Sequence, residues 1–247
     1  MTRELSLYLD LVRLLAAIVV ALSHISTQRV SGGMLWQFGP YAHEAVTVFF
    51  VLSGFVIAYA VDTRERALWP YMVARAARVY SVALPALILT IVLDRIGTAL
   101  NPAHYVAAWG YVDRGPAEIL FKGLFFVNEW WTFGAPLGSN VPYWSLGFEV
   151  WYYVVFGLAL FAPPRWRIPL IGVVLVAVGP AIAVMLPVWL IGVWAWRTGI
   201  RRPLARLPGA LLFAGSLLAW LDIFELNPRT MRIFTQTIHV IAHPHPL

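Results

Sequence analysis

The sequence predicts an all-α, polytopic transmembrane helix bundle of about six or seven spans, and three observations predict it. Hydrophobic residues make up 60% of the chain and charged residues only 12%, against roughly 45–50% and about 25% in soluble domains. Apolar runs near the ~20 residues that cross a bilayer recur along the chain. The Arg residues cluster in short segments between those runs, the pattern of loops held in the cytoplasm. The 12 Trp and 10 Tyr suit a bilayer as well, since their amphipathic rings sit at headgroup depth.

Taken in order, span one covers residues 7–25 and span two residues 45–61. Span one is too long for the apolar region of a signal peptide, Arg13 interrupts it, and no small-residue cleavage site follows, so it reads as a retained first span. A polar loop, residues 27–43, joins the two. A basic segment at 62–80 carries Arg64, Arg66, Arg75 and Arg78, and span three follows at 81–96. The stretch up to Pro142 is rich in Gly, Pro and Trp. Within it, residues 119–127 are apolar but too short to cross, as in an interfacial or re-entrant helix. Span four covers 144–161. Two weaker spans share 168–196, broken by Gly179-Pro180 and by Pro187, and a last candidate lies at 209–221. The remainder, 222–247, is a polar tail. Arg3, the 64–78 segment, Arg165/Arg167 and the 197–206 segment fall on one side if both weak spans cross, which places the N-terminus in the cytoplasm.

The net charge of +6 is almost all Arg. With membrane topology accounting for it, no nucleic-acid partner is expected. The chain has no Cys, which excludes disulfides, zinc thiolates and cysteine nucleophiles. It has no HExxH motif, carboxylate cluster, P-loop or dinucleotide-binding glycine pattern, so no metal or nucleotide cofactor is expected. His243 and His245 belong to the Pro-rich tail.

The candidate functional residues are ionisable groups inside the apolar runs, which cost about 2.5–3.5 kcal/mol each to insert and so rarely lack a partner or a task. Span one holds Asp10, Arg13 and His24. Arg13 and His24 are eleven residues apart; in a helix they share a face and are separated by about 16 Å along the axis. A neutral imidazole suits a general base near neutral pH. Alternatively, Arg13 pairs with Asp10 one turn away and His24 is an interfacial polar residue. Arg75 and Arg78, at i and i+3, form a forked cationic site suited to phosphate or, equally, a topological anchor. Glu149 lies one and a half turns into span four, near the extracytoplasmic face, where a helix N-terminal acid is also favoured by the dipole.

The order Arg13-(ten residues)-His24, Phe49-Phe50-x-x-Ser53-Gly54-Phe55, Arg75-x-x-Arg78 and Trp144-Ser145-Leu146-x-x-Glu149 resembles the acyltransferase 3 family, with Leu124-Phe125-Phe126-Val127-Asn128 adding to the likeness. These are membrane-bound O-acyltransferases that modify bacterial glycans and some lipids and natural products. The resemblance covers residues 7–161 closely and is looser beyond. It implies one domain over 1–247 in a bacterial cytoplasmic (inner) membrane. Acyl-CoA, commonly acetyl-CoA, would approach from the cytoplasm and meet Arg75 and Arg78 with its phosphates. His24 would deprotonate an acceptor hydroxyl on an extracytoplasmic glycan, Glu149 would orient or charge the imidazole, and Arg13 would support the donor or the helix packing. Family members have about ten spans, so a C-terminally shortened member is expected. The usual two acids of the Trp-Ser-Leu motif are reduced to Glu149, followed by Val150. The competing class is a non-enzymatic membrane protein, either a transporter component or an inactive relative, since intramembrane Arg, His and Glu also suit a substrate pathway.

Overall fold

The computed structural model describes residues 3–199 apart from 104, 106–110, 112 and 133–135. The expected last span at 209–221, the arginines at 201, 202 and 206 and the tail at 222–247 lie outside the described residues. By compactness the chain divides into Met1–Trp194, which holds everything below, and Ala195–Leu247, whose described part is the end of the final helix.

Apart from one isolated bridge between Leu137 and Asn140, every described element is helical. The α-helices are α1 (Arg3–Ile25), α2 (Gln28–Ser31), α3 (Ala42–Thr63), α4 (Leu68–Leu100), α5 (Gly115–Phe125), α6 (Trp144–Phe161), α7 (Pro164–Val178) and α8 (Pro180–Gly199). Short 3₁₀ turns at Trp36–Tyr41 and Val141–Tyr143 lead into α3 and α6. Among the described residues five segments are long and apolar enough to cross a membrane: Arg3–Ile25, Trp36–Thr63, Leu68–Leu100, Val141–Phe161 and Pro180–Gly199. Their outward faces are greasy, with Leu7, Leu11, Leu14 and Ile18 on α1 and Ile88, Val92 and Ile96 on α4 all exposed. In water that would be a liability; against lipid it is what insertion requires.

The spans alternate in direction. Arg3, the turn at residues 64–67 and the α6–α7 junction mark one end of the bundle, called the near end here. Ile25, Ala42, Trp144 and Gly179 lie toward the other, the far end. Two bonds tie the far end down: Ser23 Oγ donates to the Gly39 carbonyl (3.0 Å) and the Trp131 amide to the Val178 carbonyl (3.2 Å). At the near end the Tyr71 ring of α4 meets Phe161 of α6, centroids 5.6 Å apart.

Two boundaries differ from the expected ones. Helix α4 starts at Leu68 rather than at 81, so most of the expected basic loop is helix. Ala74, Ala76 and Ala77 beside the two arginines have no reason to leave a helix once it starts, because Ala and Arg are both strong helix formers. The 33 residues of α4 reach about 50 Å, well beyond a ~30 Å hydrocarbon core. In the second case the break within 168–196 comes at Gly179 alone, at φ 87°, and Pro187 sits inside α8. Pro164 opens α7 in the first turn, where a missing N–H costs nothing.

Helix α5, at 11 residues, is too short to cross a membrane. Its C-terminal carbonyls would be orphaned in an apolar setting, and the bundle supplies donors for them. Tyr143 Oη donates to the Gly123 carbonyl, Tyr80 Oη to that of Leu124 and Trp151 Nε1 to that of Phe126, each at 2.9 Å. Gly123 permits this approach, since a Cβ there would stand 2.5 Å from a Leu87 methyl of α4. Outside the bundle, Lys122 (2.7 Å) and Arg114 (3.0 Å) hydrogen-bond Glu118 and hold its carboxyl below the usual carboxylate range.

Close packing at mid-bundle rests on glycine. A Cβ on Gly54 of α3 would lie 2.1 Å from the Trp189 carbonyl oxygen of α8, and one on Gly192 would lie 1.9 Å from the Val51 carbonyl. Helices α3 and α8 therefore touch backbone to backbone, the arrangement small residues allow in membranes.

Candidate active site

Depth follows from the helix ends. Arg13 is ten residues past Arg3 on α1, Arg78 ten past Leu68 on α4, and Ser53 ten before Thr63 on α3. At 1.5 Å per residue each lies about 15 Å along the axis from the near end of its helix. Glu149 comes to the same level from α6. These four side chains line one cavity of about 210 Å³, with Val46, Phe49, Phe50 and Leu146 on its apolar wall.

The Glu149 carboxylate is the hub. Its Oε1 accepts short hydrogen bonds from Ser53 Oγ and from Tyr153 Oη, and Ser53 Oγ and Tyr153 Oη are themselves 3.2 Å apart. Glu149 and Tyr153 are i and i+4 on α6, so one helix face presents both. Across the cavity stand the guanidinium groups of Arg13 and Arg78. The Asp10 carboxylate lies 3.6 Å from Arg13, but its side chain is 63% exposed, and such a pair is worth little. With two guanidinium groups against one carboxylate, the cavity carries excess positive charge at membrane depth. Arg78 is exposed as a residue.

The structure brings together only some of the residues that the sequence singles out. Arg13 and Glu149 share the cavity. Arg75 and Arg78 do not act as one fork. Arg75 turns away to Glu65 (2.6 Å), both side chains nearly buried, and its guanidinium lies over the Tyr71 and Tyr153 rings, 5.8 and 5.7 Å from their centroids. It faces a separate, larger apolar cavity of about 570 Å³ between α4, α5 and α6. The cause is helical geometry: i and i+3 differ by about 60° around the axis, enough for the two residues to face opposite sides of the α4–α6 contact.

Nor does Glu149 touch His24. His24 is not among the residues that line the cavity, and α6 starts alongside the first turns of α3. Its first residue, Trp144, packs on both His43 and Phe50 of α3, ring centroids 6.2 Å away in each case, and Glu149 lies a further turn and a half down. His24 is near the far end of α1, half-buried, where Nδ1–H donates to the Val20 carbonyl (2.8 Å). A carbonyl only accepts, so the proton is on Nδ1, and in the neutral ring Nε2 keeps its lone pair.

Sequence reading placed Ser53 in a motif without giving it a role, and passed over Tyr153, Glu65 and Tyr71. The i, i+4 spacing of Glu149 and Tyr153 was the one local signal available. Ser53 and Glu65 declare themselves only through partners on other helices.

Comparison with known proteins shows the family. Residues 6–242 match the model of a family described as an acyltransferase domain. The exopolysaccharide production protein ExoZ of Rhizobium meliloti (strain 1021) is 32% identical over 131 residues, 51% of this chain and 37% of that protein. The match thus covers little more than a third of that relative's length. No solved structure matches the chain.

Proposed function

This chain belongs to the acyltransferase 3 family, and from that premise we propose that it moves an acyl group, acetyl in the simplest case, from acyl-CoA to a hydroxyl of an extracytoplasmic glycan. The near end faces the cytoplasm of a bacterial inner membrane, and the donor enters there. The observation that carries this reading is the convergence on one cavity of a residue from each of four motifs on four helices, Arg13, Ser53, Arg78 and Glu149. The exopolysaccharide role in the name of the ExoZ relative supports a polysaccharide acceptor.

Of the two arginines expected to meet the donor, Arg78 is available and Arg75 is held by Glu65. Arg78 and Arg13 together favour negative charge as it develops on the thioester carbonyl oxygen or the leaving sulfur, and they act strongly because little water shares the site. His24 takes the proton of the acceptor hydroxyl through its free Nε2, from the far end. Glu149 works on the donor side, on the two hydroxyls that it binds.

The reading is tested by incubating membranes that carry the chain with radiolabelled acetyl-CoA and following label into glycan. Native protein transfers label, and His24→Ala loses at least about 100-fold of the rate. Equal transfer by the two would remove His24 from the chemistry, and no transfer by native protein would end the acyl-CoA reading.

A further inference from the structure

The larger cavity, across the α4–α6 contact from Glu149, has no part in the proposed transfer. It is a groove of about 570 Å³, within the roughly 300–1,000 Å³ of ordinary ligand pockets. Met72 and Tyr80 of α4, Phe125 of α5 and Val154 of α6 line it and are all exposed, so it opens on the flank of the bundle, toward lipid. It begins at the near end, between Leu68 of α4 and Pro163 at the α6–α7 junction. It stops at the level of Tyr80, where the end of α5 closes it. Leu124 and Phe126 line the groove there, and Tyr80 Oη donates to the Leu124 carbonyl (2.9 Å). From Leu68 to Tyr80 is twelve residues along α4, about 18 Å. A hydrocarbon tail within one leaflet, half of a ~30 Å core, needs about 15 Å.

The mouth of the groove is cationic and aromatic. Arg66 stands two residues before Leu68 and Arg165 two after Pro163, each within about 7 Å of the lining along the chain. Both arginines are exposed, as is Arg64. Of the two carboxylates between residues 62 and 67, Glu65 is held by Arg75 (2.6 Å), which leaves Asp62 to set against three arginines. Trp69 follows Leu68 and Trp166 follows Arg165. They are 74% and 51% exposed, as rings are that sit at headgroup depth.

We propose that the groove is a binding site for an anionic phospholipid of the near leaflet. One acyl chain lies between α4 and α6, and the phosphate lies among Arg64, Arg66 and Arg165. Basic residues at the membrane face of an apolar pocket between helices are the arrangement that selects such headgroups. A neutral lipid would fill the apolar part equally well, so the arginines supply the choice. A lipid-linked glycan on the far side would have its headgroup at the wrong end. The bound tail lies against the ring of Tyr153, whose hydroxyl bonds Glu149 in the smaller cavity.

The site is tested on the full chain, purified in detergent, by native mass spectrometry. The probes are dioleoylphosphatidylglycerol and dioleoylphosphatidylcholine, which share their tails and differ in net charge. Native protein should keep one phosphatidylglycerol as detergent is stripped. It should prefer that lipid by roughly 30-fold, the ratio that two arginines at a membrane surface supply. Arg66→Gln with Arg165→Gln should bring the ratio near one. Ala76→Trp fills the groove from an exposed position on α4 and should lose both lipids. Val154→Trp fills it from α6 and takes its place if the first variant does not fold. Equal retention of the two lipids by native protein would overturn the inference, leaving an apolar groove with no choice of headgroup. So would undiminished phosphatidylglycerol retention in a folded Trp variant, which would put the lipid elsewhere. Displacement of phosphatidylglycerol by equimolar polyprenyl phosphate would overturn it too and give the groove to a carrier lipid. None of these outcomes bears on label transfer from acetyl-CoA, so this inference and the acyl-transfer reading fail separately.

Discussion

Glu149 shows how much a single residue's role depends on what surrounds it. Its charge is shared among Ser53, Tyr153, Arg13 and Arg78, and replacing it by Gln removes the base while adding net positive charge to the cavity. Glu149→Gln should therefore cut turnover by roughly 10²–10⁴-fold without weakening binding of the anionic donor, a split that acyl-CoA titration alongside rate measurement would reveal. Native turnover in that variant would return Glu149 to a packing role. The two arginines of the Arg-x-x-Arg motif should also separate. Arg78→Gln is expected to weaken donor binding, most visibly at low salt, and to leave thermal stability alone. Arg75→Gln strands the Glu65 carboxylate, and breaking a buried pair by removing one partner costs about 3–5 kcal/mol. It should thus lower the melting temperature, with Glu65→Gln in the same chain recovering part of the loss.

Between helices the decisive residues are those without side chains. Gly54→Leu and Gly192→Leu each place atoms where the partner helix has backbone carbonyls. Backbone does not yield as a flexible side chain does, so each should cost at least the 1–3 kcal/mol typical of overpacking. Gly172→Leu on α7 is the control, because no heavy atom stands within 4 Å of a Cβ there. Fluorescence-detected size-exclusion after a heat step would rank the three; equal loss at Gly172 would mean that helix propensity, not packing, sets the effect. The end of α5 follows the same logic from the polar side: Tyr80, Tyr143 and Trp151 each donate one hydrogen bond to a carbonyl there.

Over the whole molecule, orientation is the property on which the reaction scheme hangs. Arg3, Arg64, Arg66, Arg165 and Arg167 all lie toward the near end, while Arg29, Arg95, Arg114 and Lys122 lie toward the other. The excess favours a cytoplasmic near end. The absence of Cys from the chain makes the test direct, since any introduced thiol is the only one. With a membrane-impermeant maleimide on spheroplasts, Met34→Cys, at a position 68% exposed beyond α2, should label from outside. Thr63→Cys, exposed at the near end, should label only after permeabilisation. The reverse pattern would invert donor and acceptor sides and overturn the proposed direction of transfer.

The sequence by itself determined the class of structure. Apolar runs long enough to cross a bilayer, interrupted by Arg-rich connections, leave no other solution, because a backbone in lipid must satisfy its own hydrogen bonds. It also singled out Arg13 and Glu149, which share a cavity, since an ionisable residue in an apolar run is costly wherever that run ends up. What it could not supply was register between helices. Whether Glu149 meets His24 or Ser53 depends on how far α6 is set down against α3, which Trp144 decides by packing on His43 and Phe50. Whether Arg75 joins Arg78 depends on which side of the α4–α6 contact each guanidinium finds a partner, and Glu65, ten residues earlier in the chain, claims the first. Local spacing specifies a face of one helix; the depth and rotation of that face against its neighbours come from side chains and glycines far away in sequence, and only the folded bundle brings them together.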